Sequence, residues 1–425
     1  MYNKIYIIIK GKCIIKLMKK VLLIKTENLL DPQQFAYRAR RGVEDATATL
    51  LNLILKHLEG SNTHANILFV DFSSAFNTIQ PHILVDKLLR NFNLDFSLVG
   101  WIMDFLTDRT QRVRVNGVYS EKLLSSTGSP QGCVLSPLLY ILYTDDCRSQ
   151  HTNRHILKFA DDSAIVSLLN GKESEHGPVL NDFIAWCDTA HLHLNVSKTK
   201  DTVIDYRCKS PPTQVTAING QPVEVVGSYK YLGSIIDDRL NFNLNTENIC
   251  KKGQQRLSCL RKLAKFNVDK TIMRILYKSY IESVSSFSII CWDGNLNVKD
   301  KASLAKVVKA GGKIIGAEQS SLADLYNRFV HKKAESILSA NGHPLHPEFQ
   351  LLPSKSRFRF PAVKTNRYRL IIILIYIGMS CRDVYQHACI HSALSIYYLH
   401  VCLVCHVVLS VLCCLLMSCC KQNRP

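Results

Sequence analysis

The chain has 425 residues, with 53 Lys plus Arg against 34 Asp plus Glu, and a formal net charge of +19. That length accommodates two or three domains or one multi-lobed enzyme, and a basic surplus spread along the chain points to a polyanionic partner, most simply nucleic acid. Its 16 cysteines, half of them between Cys381 and Cys420, include no repeated Cys-x-x-Cys pair, which argues for reduced thiols over a zinc or disulfide framework.

Residues 1–28 alternate short apolar runs with lysines; they suggest no definite element and lack the cleavage site of a secretory signal. The character changes at Asp31-Pro32-Gln33-Gln34-Phe35-Ala36-Tyr37-Arg38. Leu50, Leu51, Ile54, Leu55 and Leu58 then predict a helix from Glu44 to Leu58. Asn66 to Val70 is a near-continuous apolar run, as in a strand buried on both faces, with Asp71 at its exit. Helices are predicted over 81–90 and 97–106, and a strand pair over 112–116 and 122–126. Gly128-Ser129-Pro130-Gln131-Gly132 is a turn-rich loop feeding the apolar, helix-compatible stretch Val134 to Tyr143. Ile156 and Leu157 before Phe159-Ala160-Asp161-Asp162, and Ala164 to Val166 after it, predict a hairpin with two carboxylates at its tip. A lone Asp-Asp pair is usually a solvated turn. Held together at a sheet end, however, two like charges call for a cation, and Mg²⁺ takes one or two carboxylates plus substrate phosphates.

Further on, Pro178 suits the first turn of a helix. Asn219-Gly220 predicts a hairpin between 215–218 and 223–226. From Asn245 to Ala340 the pattern is helical. Leu257, Leu260 and Ala264 share one face there, and Lys251, Lys252, Arg256, Arg261, Lys262 and Lys265 crowd the rest. Such a helix suits contact with a phosphate backbone. Val384 to Cys420 carries no Asp, Glu, Lys or Arg and is long enough to cross a membrane. A frame change or read-through past the end of an element is favoured over an evolved anchor.

A strand ending in Asp71, the loop at Gly128–Gly132 before a helix, and the Phe159–Asp162 hairpin together resemble motifs A, B and C of a reverse transcriptase palm. Gln34–Arg38 resembles motif 2, Leu192–Lys200 motif D, and Tyr229–Gly233 the primer grip, all of non-LTR (LINE-type) retrotransposon enzymes. The resemblance covers about residues 29–368. It implies an α+β right-hand polymerase: partial fingers at 29–60, a palm with an antiparallel sheet at 61–240 carrying a fingers insertion at about 78–126, and a helical thumb at 241–340. A basic linker at 341–369 and the apolar tail at 370–425 would follow.

The activity implied is RNA-directed DNA polymerisation with two Mg²⁺ ions, or Mn²⁺ instead, on an RNA template and DNA primer with deoxynucleoside triphosphates, in nucleus or cytoplasm. By resemblance, Asp71 and Asp161 are metal ligands, supported by Asp162 and the Phe72 carbonyl. Phe76 clashes with a ribose 2′-hydroxyl, Gln131 and Gly132 contact the nucleotide, and Lys198 protonates the leaving pyrophosphate. Tyr231, Leu232 and Gly233 place the primer end, Lys251, Lys252, Arg256, Arg261 and Lys262 follow the backbone, and Arg38 and Arg41 remain as phosphate contacts. The chain departs from the family in lacking an Arg-Pro-Ile core, an upstream endonuclease and a terminal Cys/His knuckle. It is therefore expected to be a truncated copy with weak or no polymerisation. The alternative is a non-catalytic nucleic-acid-binding remnant, membrane-associated through residues 384–420. The stretch from Lys251 to Trp292 also resembles a segment at the amino terminus of the AlkB homologue eight family. The sequence contains no His-x-Asp iron pair, so no oxygenase role is expected.

Overall fold

The strand predicted to be buried on both faces is the middle of the molecule. The structure, a computed structural model, describes residues 15–171, 176–207, 215–353 and 358. A helix, α1, spans residues 15–26 and is followed by α2 (Val43–His57) and β1 (Thr63–Val70). Next come α3 (Pro81–Arg90), α4 (Phe96–Leu106) and four short strands, β2 (Arg109–Gln111), β3 (Arg114–Val115), β4 (Val118–Tyr119) and β5 (Leu123–Ser125). Then follow α5 (Ser136–Tyr143), β6 (Arg154–Phe159), β7 (Asp162–Asn170), α6 (Gly177–Thr189) and β8 (Lys200–Ile204). β9 (Ala217–Ile218), β10 (Gln221–Pro222), β11 (Glu224–Val225), β12 (Ser228–Tyr231) and β13 (Ser234–Asp237) complete the strands. The remainder is helical: α7 (Asn243–Lys265), α8 (Lys270–Leu276), a π-helical turn (Tyr277–Glu282), α9 (Ser283–Ser285), α10 (Ile289–Trp292), α11 (Val298–Ile315) and α12 (Leu322–Leu338).

Five strands form one sheet in the order β11-β8-β1-β7-β6. β1, buried after its first residue, alternates its side chains between two cores. Ile67 and Phe69 pack with α2, α10 and α12, whereas Leu68 and Val70 pack with α6 through Val179 and Phe183. The ladders are antiparallel except that β11 pairs parallel to β8. The expected antiparallel sheet is therefore mixed at one edge.

α1, α3, α4 and α5 enclose a second core around Leu22, Leu84, Ile102 and Tyr140. α7, α8 and α11 enclose another around Leu257, Leu260, Met273 and Val307. α12 is tied to α2 by Asp45, which accepts from Lys333 Nζ at 2.9 Å and lies 3.2 Å from His343 Nε2.

Three expectations need correction. Residues 15–26, for which the sequence suggests no definite element, are helical, with Met18 and Leu22 buried one turn apart. The strand pair over 112–116 and 122–126 is instead two ladders, β2 with β5 and β3 with β4. They are split because Asn116 (φ 50°) and Gly117 (φ 87°) make their own tight turn. At Asn219-Gly220 a hairpin forms, but only between β9 and β10; Glu224 and Val225 join β8. Among the described residues no helix is long and apolar enough to cross a membrane. The apolar stretch 384–420 and the linker beyond Phe358 lie outside the described residues.

Candidate active site

The ladder between β1 and β7 ends on the pair Val70 and Ser163, with Asp71 the next residue after the one and Asp162 the residue before the other. β6 and β7 close on the pair Phe159–Asp162, leaving Ala160 and Asp161 as a two-residue tip with Ala160 at φ 58°. The register thus gathers three acidic residues at one end of the sheet. Burial, then Asp161 and Asp71, push the Asp162 carboxyl above its ordinary range. Burial, then Asp162 and Asp71, raise the Tyr229 hydroxyl.

Asp71 is braced from behind. Its N–H donates to Thr199 Oγ1 at 3.3 Å and its carbonyl accepts from Asn195 N at 2.9 Å, while Phe72 bridges Leu194. Asp71 Oδ2 is buried without a hydrogen-bond partner, and Lys198 Nζ stands 3.8 Å from it. A buried carboxylate oxygen that accepts no hydrogen bond, beside two further acids, is a hard-donor set whose repulsion a divalent cation relieves, so the residues fit one in chemistry. Among the described residues, though, no three His, Cys, Asp or Glu side chains stand together as a ready-made metal centre.

Two loops flank the acids. After β1 the chain turns through Ser74 (φ 54°) into a 3₁₀ turn, Ala75–Asn77, where the half-buried Phe76 ring stacks on Tyr140 at 4.6 Å between centroids. The loop before α5 docks on this turn. Gly128 N donates to Ile79 O at 2.7 Å and Ser129 N to Phe76 O at 2.9 Å. Gly128 has φ +74°, and a Cβ there would sit 2.7 Å from Asn77 O, so only glycine permits the approach. Gln131 and Gly132 are exposed, with Gln131 Nε2 3.4 Å from Asn77 Oδ1. On the other side, β12 and β13 turn through Leu232 (φ 45°) and Gly233 (φ 92°), Tyr231 being buried. A cavity of about 230 Å³ lies between this hairpin and Asp162, lined also by Phe69 and Ser163.

Other sequence candidates lie elsewhere. Arg38 donates to the carbonyls of Asp31 (2.7 Å) and Glu27 (2.9 Å) and pairs with the Glu27 carboxylate. Arg41 donates to Pro32 O, Gln34 O and Gly342 O, and burial, with Arg38 alongside, lowers its guanidinium to about 10. Arg38 therefore ties together the turn after α1, and Arg41 joins that segment to the loop at Gly342. On α7, Lys251, Arg261 and Lys262 are exposed and Lys252 half-buried, while Arg256 donates to Tyr280 O and lies over that ring at 4.4 Å. Lys158 belongs to none of the sequence motifs above. This buried lysine pairs with Asp31 Oδ2 at 2.8 Å, and its place in the apolar run Ile156-Leu157-Lys158-Phe159 was the available signal.

The sequence model described as reverse transcriptase (RNA-dependent DNA polymerase) matches residues 4–236, which take in β1, the Gly128 loop, the Asp161–Asp162 hairpin and β12. The chain belongs to that family. Its relatives include reverse transcriptases of non-LTR retrotransposons. The probable RNA-directed DNA polymerase from transposon BS of Drosophila melanogaster is 27% identical over 282 residues, covering 63% of this chain and 31% of that protein. The RNA-directed DNA polymerase from mobile element jockey of the same species is 28% identical over 227 residues, covering 51% and 24%. This reverse transcriptase chain thus spans less than a third of the length of either relative. The structure of apo telomerase from Candida tropicalis has a TM-score of 0.41 at 12% identity, over 79% of this chain and 60% of that one, too distant to bear on function. A second family model, the N-terminal segment of alkylated DNA repair protein alkB homolog 8, matches residues 242–283, which comprise α7, α8 and the π turn.

Proposed function

We propose that this chain is an RNA-directed DNA polymerase domain of the retrotransposon type, carrying out template-directed nucleotidyl transfer at the sheet end that carries Asp71, Asp161 and Asp162. The observation that carries the reading is the placement of these three acids at the end of β1 and β7, where burial and then Asp161 and Asp71 raise the Asp162 carboxyl, in a chain of this family. Mg²⁺, or Mn²⁺ in its place, held by the three carboxylates and the Phe72 carbonyl, would supply Lewis-acid stabilisation of the oxygens that exchange at phosphorus. The remaining roles belong to the chain. Phe76, backed by Tyr140, rejects a 2′-hydroxyl by sterics. Gln131 and Gly132 meet the incoming deoxynucleoside triphosphate. Lys198 stands 3.8 Å from Asp71 and serves as proton donor to the leaving pyrophosphate. Tyr231, Leu232 and Gly233 hold the primer end beside the cavity.

In this reading residues 61–240 are the palm, 29–60 and 78–126 belong to the fingers, and 241–340 are a thumb whose α7 follows the RNA–DNA backbone. Polymerisation is weak beside binding. Binding sums many dispersed charges, whereas catalysis needs every group placed at once. Here the carboxylates must still be drawn together, and Arg38 and Arg41 are committed to carbonyls.

The test uses the full chain with an RNA template, a DNA primer and Mg²⁺, alongside the same chain carrying Asp161→Asn and Asp162→Asn. We expect slow extension by the first, none by the second, and equal, salt-sensitive binding by both. Extension that survives the double substitution would remove the site. Binding without extension by either would leave the non-catalytic reading.

A further inference from the structure

Gln34, between α1 and α2, is wholly buried. Its backbone forms a parallel bridge with Lys158. Phe35 N donates to Lys158 O, and Lys158 N to Gln33 O, each at 2.9 Å. The segment thereby covers the open edge of β6, the strand that runs into the Ala160–Asp161 tip. Lys158 fixes it in place, donating to the carbonyls of Thr144 (2.9 Å) and Cys147 (2.7 Å) as well as pairing with Asp31.

Two residues further along, the Ala160 N–H donates to Gln34 Oε1 at 3.4 Å, and the Ala36 N–H donates to the same oxygen at 3.1 Å. Two N–H donors on one side orient the amide with its oxygen toward them. Its Nε2 is buried with no hydrogen-bond partner. An idle buried donor is unfavourable, so what the side chain gains at this position comes through its oxygen. The residue so held is under strain. Ala160 has φ 58°, a left-handed conformation that crowds the Cβ of any L-residue and persists only where the surroundings impose it.

We propose that Gln34 is a positioning residue for the carboxylate site: by accepting the Ala160 N–H it holds the hairpin tip in its left-handed turn and so sets where Asp161 stands relative to Asp71 and Asp162. Its effect on extension rests on the polymerase reading; its effect on divalent-metal binding does not.

The test compares the full chain with Gln34→Met, which keeps length and removes the acceptor, by Mn²⁺ titration, steady-state extension, primer–template binding and thermal melting. We expect Mn²⁺ affinity to fall about tenfold and kcat about 10- to 100-fold, with KM for primer–template and the melting temperature held. Glycine reaches a positive φ freely, so adding Ala160→Gly should recover part of both losses. Unchanged Mn²⁺ affinity and kcat overturn the proposal. So does a loss that runs in parallel with melting temperature and duplex affinity, which would make Gln34 packing alone. A parent that binds Mn²⁺ but extends nothing fails the polymerase reading only, and the Mn²⁺ shift then decides Gln34. A parent that binds no Mn²⁺ ends both. Hydrogen exchange of the parent adds a measurement independent of any variant: a rapidly exchanging Ala160 amide overturns the proposal.

Discussion

The Phe69 ring stacks on the Tyr229 ring, with centroids 4.3 Å apart and planes 14° from parallel. Phe69 stands two residues before Asp71 on β1, and Tyr229 begins the run that ends in Leu232 and Gly233. The contact therefore couples the strand that delivers one acid to the hairpin proposed to hold the primer end, across the cavity beside Asp162. A fixed distance between these parts is what an in-line displacement requires, since small misplacements of reacting atoms are costly.

Phe76→Val tests the sugar gate. The valine cannot fill the space of a ring stacked on Tyr140. We expect the ratio of kcat/KM for deoxynucleotides over ribonucleotides to drop about 10- to 100-fold, with a stability loss of about 1–2 kcal/mol in denaturant titration. An unchanged ratio would make Phe76 a packing residue only.

Asp162 gives a pH signature. Its carboxyl is raised in the folded chain, by burial first and then by Asp161 and Asp71. The folded state therefore holds the proton more tightly than the unfolded chain, and ionisation works against folding. The penalty is absent below the unfolded carboxylate pKa, about 3.9. It grows as pH rises toward the folded value and is complete above it. Asp162→Asn should raise the melting temperature at pH 7, with the gain vanishing near pH 3.5. A gain equal at both values would assign it to packing.

Two glycines of one loop should differ. Gly128→Ala meets both a left-handed backbone (φ +74°) and the Asn77 carbonyl at 2.7 Å. Gly132→Ala meets only the backbone term, φ +76° with open space around it. The second should cost about 1–2 kcal/mol in thermal or denaturant unfolding. The first should cost more and should also reduce extension by shifting the turn that carries Phe76. Equal effects would show that the loop does not depend on this close approach.

The charges of α7 should separate by salt dependence. Replacing the exposed Lys251, Arg261 and Lys262 with Gln should lower the magnitude of the log K against log salt slope for duplex binding by about 2–3. Arg256→Gln should instead lower stability, because its guanidinium is held by Tyr280. An unchanged slope in the triple variant would place the nucleic acid on another face.

What the sequence revealed follows from how local each signal is. β1 was legible because an apolar run ending in Asp71 has few other uses, and the Asp161–Asp162 hairpin because its two flanks are short, apolar and close together. α1 was hidden by lysines placed between Met18 and Leu22. The turn at Asn116-Gly117 carried a local signal that the longer β-prone runs around it obscured. The parallel pairing of β11 was out of reach, since two residues show no period and their partner is set by tertiary placement. The same holds for Arg38 and Arg41. The family resemblance offers them as phosphate contacts, but backbone carbonyls have no sequence signature, and one of those that take up Arg41 belongs to Gly342.

The place of β1 in the sheet has a consequence for synthesis. Its ladder partner on β7 lies far downstream, roughly ninety residues separating Val70 from Ser163. Ribosomes add about 5–20 residues per second, so β1 waits roughly 5–20 s before the strand that pairs with it exists. During that interval a strand destined for burial on both faces has neither ladder partner nor covering helix from α6 onward. The nascent chain should therefore be a client for holding chaperones between these two points. Slowing translation there should lower the soluble yield rather than raise it.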